Sequence, residues 1–496
     1  MKHRSYIAAL ALALPLAAAG QTAITVYSSA RPGSLDPRVF REGGEGQAVP
    51  GYALVREERE FELAPGRTAL RVADIPALVD PTTVAFASLT DPKGTRVVEQ
   101  SFEFDLTSTS KLLSRFLEKD ITVDQVRGTG VEAVSGTLVG TRGGLILKQP
   151  DGSIRVVESH AGIKLPSLPG GLISRPTLVW DVETSTPGRH KARFAYQTAG
   201  MTWWADYNLT YSDAPDTGCR LEVGAWVTLV NQSGAAYPEA RLKLIAGDVQ
   251  RVQRAQPAPR AELAARAALA KEDGFAEKAF FEYHLYTLGR TTSLPNNSTK
   301  QIELFPTAAG VRCEKKLVYQ GQAQGFVPYG APMTDRGFGT QSNRKVDVYL
   351  RLRNAADNAL GMPLPAGRLR VSKLDPADRS LEFIGEDVID HTARGETVQV
   401  KLGSAFDVVG ERRSTDFRLD TTAKWMEEDI EIRVRNQKPD EAADVIVKET
   451  LYRWSAWSVL RKSHQFTKED ARTIHFPVKL APKAEAVVRY TVRYTW

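Results

Sequence analysis

The feature that most constrains this chain is a hydrophobic beat of two. Leu221, Val223, Ala225, Val227 and Leu229 alternate with Glu222, Gly224, Trp226 and Thr228. The beat returns at Val346, Val348, Leu350 and Leu352, at Ile430, Ile432 and Val434, and at Val488, Tyr490, Val492 and Tyr494. Successive side chains of a strand point to opposite faces, so this period describes half-buried strands from antiparallel sheets. Three of these strands end alike, at Asn231, Asn354 and Asn436, each followed by polar turn residues. Asparagine suits a strand end because its amide bonds the turning backbone and tolerates left-handed angles. The unequal spacing excludes a strict repeat and suits successive sandwich domains.

At 496 residues the chain is long for a single core, so two to four domains are expected. Residues 21–122 read as a mixed β region with a short helix at 108–119, where Leu112, Leu113, Phe116 and Leu117 recur at helical spacing. Residues 123–165 are dense in glycine and short strands, which reads as a small β-barrel. A β-sandwich follows at 166–320, with an alanine-rich helical excursion at 258–271 after Pro257 and Pro259. Glycine-rich 321–343 reads as a linker, and 344–496 as a C-terminal β-sandwich. The expected fold class is mainly β and multi-domain: a small β-barrel plus immunoglobulin- or fibronectin-like β-sandwiches, with few helices.

Lys2 and Arg4 precede an apolar run at 6–19 that closes on Ala17, Ala18, Ala19 and Gly20, the pattern of a secretory signal peptide over 1–20. The run is too short for a spanning helix, so a periplasmic or secreted protein with no transmembrane helix after cleavage is expected. Cleavage lowers the formal charge from +6 to +4. Lysine and arginine are interspersed with acids, without a basic stripe, which argues against nucleic acid as a partner. Cys219 and Cys313 each adjoin a strand, and an oxidising compartment would let them join, although two separate buried thiols fit the sequence equally well. The histidines show no ligand-like spacing, so neither a metal nor a cofactor is expected.

Two clusters carry candidate chemistry. Trp203, Trp204, Asp206 and Tyr207 follow Gly200 closely; flat aromatic faces cover the apolar side of a sugar ring while an acid takes its hydroxyls. Against that, adjacent tryptophans of a strand point to opposite faces, so at most one anchors the core and the other is left for a surface or a neighbouring domain. Glu386, Asp387, Asp390 and His391 concentrate three carboxylates beside a histidine, the raw material of glycosidase chemistry or a cation site; the plainer reading is a polar strand end. The terminal alternation of Val488, Tyr490, Val492, Tyr494 and Trp496 resembles the closing strand of an outer-membrane barrel, and equally a last sandwich strand.

The motif around Trp203 resembles an exported bacterial family whose C-terminal half is a domain of unknown function, and which includes mucoidy inhibitor A-like proteins. Neighbouring segments agree: the run from Trp226 through Asn231 to Gly234, the run from Ala240 to Asp248, and Thr299, Lys300 and Gln301. Downstream, Leu364, Pro365, Gly367 and Arg370, then Gly385, Glu386 and Asp387, Phe406 and Asp407, and Gly410, Glu411 and Arg412 match as well. The likeness covers roughly 189–496 and implies a β-rich, envelope-facing protein without an assigned reaction. The expected function is an exported cell-envelope protein acting as a non-catalytic binding or scaffolding module for envelope proteins or polysaccharide. The alternatives are an envelope glycan hydrolase using Glu386 to His391, and an outer-membrane β-barrel.

Overall fold

The structure, a computed structural model, describes residues 21–28, 49–104, 108–128, 130–167, 173, 175–214, 218–247, 249, 274–322, 330–340 and 342–496. The signal peptide expected at 1–20 and the helical excursion expected at 258–271 lie outside the described residues. Among the described residues strands carry the fold in four sheets, none of which closes on itself. Among the described residues there is one α-helix, Thr109–Arg115, and the Ser108 side chain caps its start by accepting from Lys111 N.

One sandwich is built from a seven-stranded sheet packed on the first half of a long mixed sheet. The first sheet runs, in spatial order, Phe275–Phe280, Tyr283–Leu294, Tyr237–Ala246, Thr22–Tyr27, Tyr52–Leu63, Gly188–Ala199 and Val79–Ser88. The facing sheet begins Leu381–Ile389, Gly367–Leu374, Met201–Ala214, Gly218–Asn231 and Ser298–Tyr319. A three-stranded sheet of Gly66–Val72, Thr177–Thr184 and Thr95–Glu103 closes one side, placing Trp180 in the same core as Val26, Trp203 and Leu229. Strands from 21–122 and from 166–320 therefore share one core.

The long sheet continues through Lys345–Arg353, Thr397–Asp420, Trp425–Asn436, Glu485–Thr495 and Trp457–Lys462. A second core lies here, where Ile430, Ile432, Tyr490 and Tyr494 meet Val445, Val447, Phe476 and Val478. Ser298–Tyr319 serves both cores: Ile302 and Val311 are in the first, Leu317 and Tyr319 in the second. The terminal strand Glu485–Thr495 pairs on both sides within this open sheet, with Tyr490, Val492 and Tyr494 buried. Its alternation is that of a sandwich strand, so the outer-membrane barrel is set aside. No helix among the described residues is long and apolar enough to cross a membrane.

The barrel expected at 123–165 is an open five-stranded sheet, ordered His160–Lys164, Asp120–Arg127, Gly130–Gly140, Leu145–Lys148 and Ile154–Val157. Its two edge strands do not pair. Leu113 and Phe116, from the helix and its C-cap, supply the cover that closure would have given, packing on Val123, Val134, Leu138 and Leu147.

The described part of 321–343 is strapped to the second core. The Arg453 guanidinium donates to the carbonyls of Met333, Asp335 and Phe338 at 3.0, 2.7 and 3.0 Å, and to Glu428 at 3.1 and 3.3 Å. Arg412 donates to Gly339 O at 3.0 Å and to both oxygens of Glu449. All four charged side chains are at most 2% exposed. Burying charges is tolerable only when the pairing and hydrogen bonding are complete. For Arg453 all five donors are used.

The three strand-end asparagines repeat one device. Asn231 donates to the carbonyls of Ala235, Leu294 and Pro295 and accepts from Ser233. Asn354 ties Met362 and Ala393 to Gly361 N, and Asn436 ties Glu441 and Ala481 to Lys438 N. All three are buried.

Candidate functional site

Strand alternation sorts the tryptophan cluster. On Met201–Ala214 the odd residues face the core: Trp203 donates from Nε1 to Ile245 O at 3.3 Å and meets the Tyr286 ring edge-on, and Tyr207 donates to Pro365 O at 2.8 Å. Burial pushes the Tyr207 hydroxyl well above the usual tyrosine range, so it stays a neutral donor. The backbone permits this approach because position 367 is glycine: a Cβ there would lie 2.4 Å from Ala205 O and 2.6 Å from the Tyr207 ring. Gly200 makes the preceding turn at φ +78°, where a side chain would also press on Gln232 O.

The even residues face outward, yet Trp204 is buried too, covered by Val49 and Val230. The expectation that one of the two tryptophans would be left for a surface or neighbouring domain does not hold: Val49, far away in sequence, reaches over Trp204, so Trp203, Trp204, Asp206 and Tyr207 are all buried and none presents an open binding surface. An aromatic residue left open on this face, mid-sheet, is Trp226, 39% exposed and directly across the ladder from Asp206 on one side and Glu303 on the other; Phe383, towards the sheet edge, is another. The sequence pattern had placed it in the outward phase; what marks it out is that no described residue covers it as Val49 covers Trp204.

Around Trp226 the outer face carries a chain of polar groups crossing five strands. Gln301 donates to Thr228 Oγ1 at 3.0 Å, and Thr228 in turn donates to Asp206 Oδ2. Trp204 Nε1 donates to the same oxygen at 2.9 Å. Arg370 Nη1 lies 3.6 Å from Asp206 Oδ1, and its Nε lies 3.5 Å from Glu386 Oε2. Arg370 thus joins the two clusters that the sequence singled out separately. Asp206 is buried, Arg370 is 39% exposed and Glu386 49%, so the chain runs from the sheet's interior out to solvent.

The acidic cluster is dispersed by the same alternation. Glu386 lies opposite Arg370 on the outer face. Asp387 turns the other way, accepting from Lys401 N at 2.7 Å and from its neighbour Val388 N at 2.9 Å. Asp390 is exposed past the strand end, and His391 accepts from Ala366 N through Nδ1 at 3.0 Å. These residues do not form a carboxylate pair across one cleft, and no group of three metal-ligating side chains occurs among the described residues.

Cys219 and Cys313 face each other across the ladder of Gly218–Asn231 and Ser298–Tyr319 and are joined, with Cα atoms 5.2 Å apart and sulfurs 2.06 Å apart. Both are buried in the first core. The geometry offers a stiff, cross-linked sheet presenting one open indole among hydrogen-bonding groups. No protein-family model matches the chain, and no curated protein matches it.

Proposed function

We propose that this is an exported binding protein of the cell envelope, periplasmic or secreted, that holds polysaccharide on the outer face of its long sheet. Trp226 carries the reading: a half-open indole mid-sheet, flanked by Asp206, Glu303 and, through the polar chain, Arg370. A flat aromatic surface stacks on the apolar face of a sugar ring while neighbouring polar groups take its hydroxyls. The disulfide supports an oxidising compartment, as does the apolar run at 6–19. The resemblance over 189–496 to an exported envelope family points the same way.

The test is a panel of immobilised bacterial and plant polysaccharides probed with the purified chain and its Trp226→Ala variant. Retention on one or more glycans, lost in Trp226→Ala with the melting temperature unchanged, supports the function. Retention that survives the substitution contradicts it.

A further inference from the structure

Further along the same face, register assembles a row of arginines. Arg220 stands directly across the ladder from Arg312. Arg353 lies one step beyond the last paired residues of the next ladder, so it falls beside Arg312, and Arg351 is two residues away on the same face. Arg312, Arg351 and Arg353 line a cleft of about 700 Å³ together with Asn358 and Thr397, and with the two carboxylates Glu314 and Asp357.

Neighbouring strands lie about 4.8 Å apart, and like charges placed directly opposite one another are destabilising. For Arg312, Arg351 and Arg353 the described contacts relieve this only in part. Arg312 donates to Asp357 O at 2.8 Å and lies 3.4 Å from that residue's carboxylate. Arg353 reaches only a carbonyl, Gly395 O at 3.4 Å. Glu314 sits across the ladder from Arg351 but pairs with Lys316 at 3.1 Å. Among the described residues neither Arg351 nor Arg353 has a carboxylate within ion-pair distance. Arg220 and Trp226 are six residues apart on one strand, about 20 Å at strand rise, so a single extended chain can lie over both.

We infer that the polysaccharide is acidic, and that its carboxylate or phosphate groups bind across Arg220, Arg312, Arg351 and Arg353 while a sugar ring stacks on Trp226; this rests on the function proposed above. Guanidinium forks match carboxylates and phosphates bidentately, which gives an anionic chain both affinity and register. The row was hidden in a sequence whose charges are interspersed, because pairing and not neighbourhood brings it together.

Polygalacturonate and its fully methyl-esterified form are the probes, since they share a backbone and differ in charge. The wild-type chain should bind the acid form at least about tenfold more tightly at low salt, a difference of about 1.4 kcal/mol. In Arg351→Gln/Arg353→Gln, at exposed positions and with unchanged melting temperature, that preference should be lost. Phosphomannan binding more tightly, with the same arginine dependence, assigns the charge to phosphate and still supports the site. Equal binding of both polygalacturonate forms, or a preference that survives the double variant, overturns the inference. So does single-stranded DNA bound more tightly than any glycan. Trp226→Ala separates the two claims: if it leaves binding of both forms intact while the arginine variant weakens the acid form, the stacking function falls and the anion site stands.

Discussion

Asp206 and Trp226 face each other across one rung of the ladder, yet the acid is buried and the indole is open. Asp206 is held by Trp204, Thr228 and Arg370, while Trp226 is left to solvent. The carboxylate is therefore the fixed partner and the tryptophan the open one.

The two classes of tryptophan should separate in mutagenesis. Trp203→Ala removes a fully buried side chain that spans both sheets, and should cost about 3–5 kcal/mol in chemical denaturation. Trp226→Ala should change stability by no more than about 0.5 kcal/mol, as surface substitutions do.

Each strand-end asparagine should matter far beyond its size. Asn436→Ala removes the donors to the carbonyls of Glu441 and Ala481 and the acceptor of the Lys438 amide, at about 1–3 kcal/mol for each group that water does not then reach. Urea unfolding of the Asn231, Asn354 and Asn436 alanine variants should show three losses of similar size, and a negligible change at any of them would contradict the shared device.

These asparagines were legible in the sequence because their signal is local: a strand, its end and the turn that follows. The alternation likewise put Trp226 out of phase with its apolar neighbours and Trp203 and Trp204 on opposite faces, without saying which of the two faced the core. What could not be read was whatever lies on top. Val49 covers Trp204 from far off in the chain, Leu113 and Phe116 finish a sheet whose sequence reads as a closed barrel, and Arg220, Arg312 and Arg353 meet only through register. The cluster from Glu386 to His391 misled for the opposite reason: neighbours in sequence are turned to opposite faces by the strand that carries them.

Breaking one half of a buried ion pair in the second core should be severe. Glu428→Gln leaves the Arg453 guanidinium buried without its counter-charge, at about 3–5 kcal/mol. The double change Arg453→Met/Glu428→Leu should recover part of that loss and release the carbonyls of Met333, Asp335 and Phe338, which hydrogen exchange would register as deprotection of 330–340.

Acid should weaken the fold in two stages. Burial holds the His475 imidazole below the ordinary histidine value of 6.5. Hydrogen bonds from Arg489 and Arg433 hold Glu431 below the usual glutamate range, and those from Lys191 and Arg193 do the same for Glu58. Each group binds its proton more weakly folded than unfolded, so the stability it contributes is present above its unfolded value and is lost as pH falls through its folded one. Melting temperature should decline first below about pH 6.5, then more steeply below the ordinary glutamate value of 4.5, and Glu431→Gln should flatten the second stage.

The cross-link should be present in the chain purified without reductant and should stabilise it. Replacing Cys219 and Cys313 together by serine opens a loop of 94 residues and should cost about 2–5 kcal/mol. A non-reducing peptide map without the Cys219–Cys313 pair would contradict this.

Oxidative footprinting of Trp226, with and without a polysaccharide retained in the panel, tests the binding face most directly. The indole should lose its labelling as the glycan saturates, while Trp457, on the far edge of the long sheet, keeps its own. Trp226 labelled equally at saturation would contradict the assignment of this face.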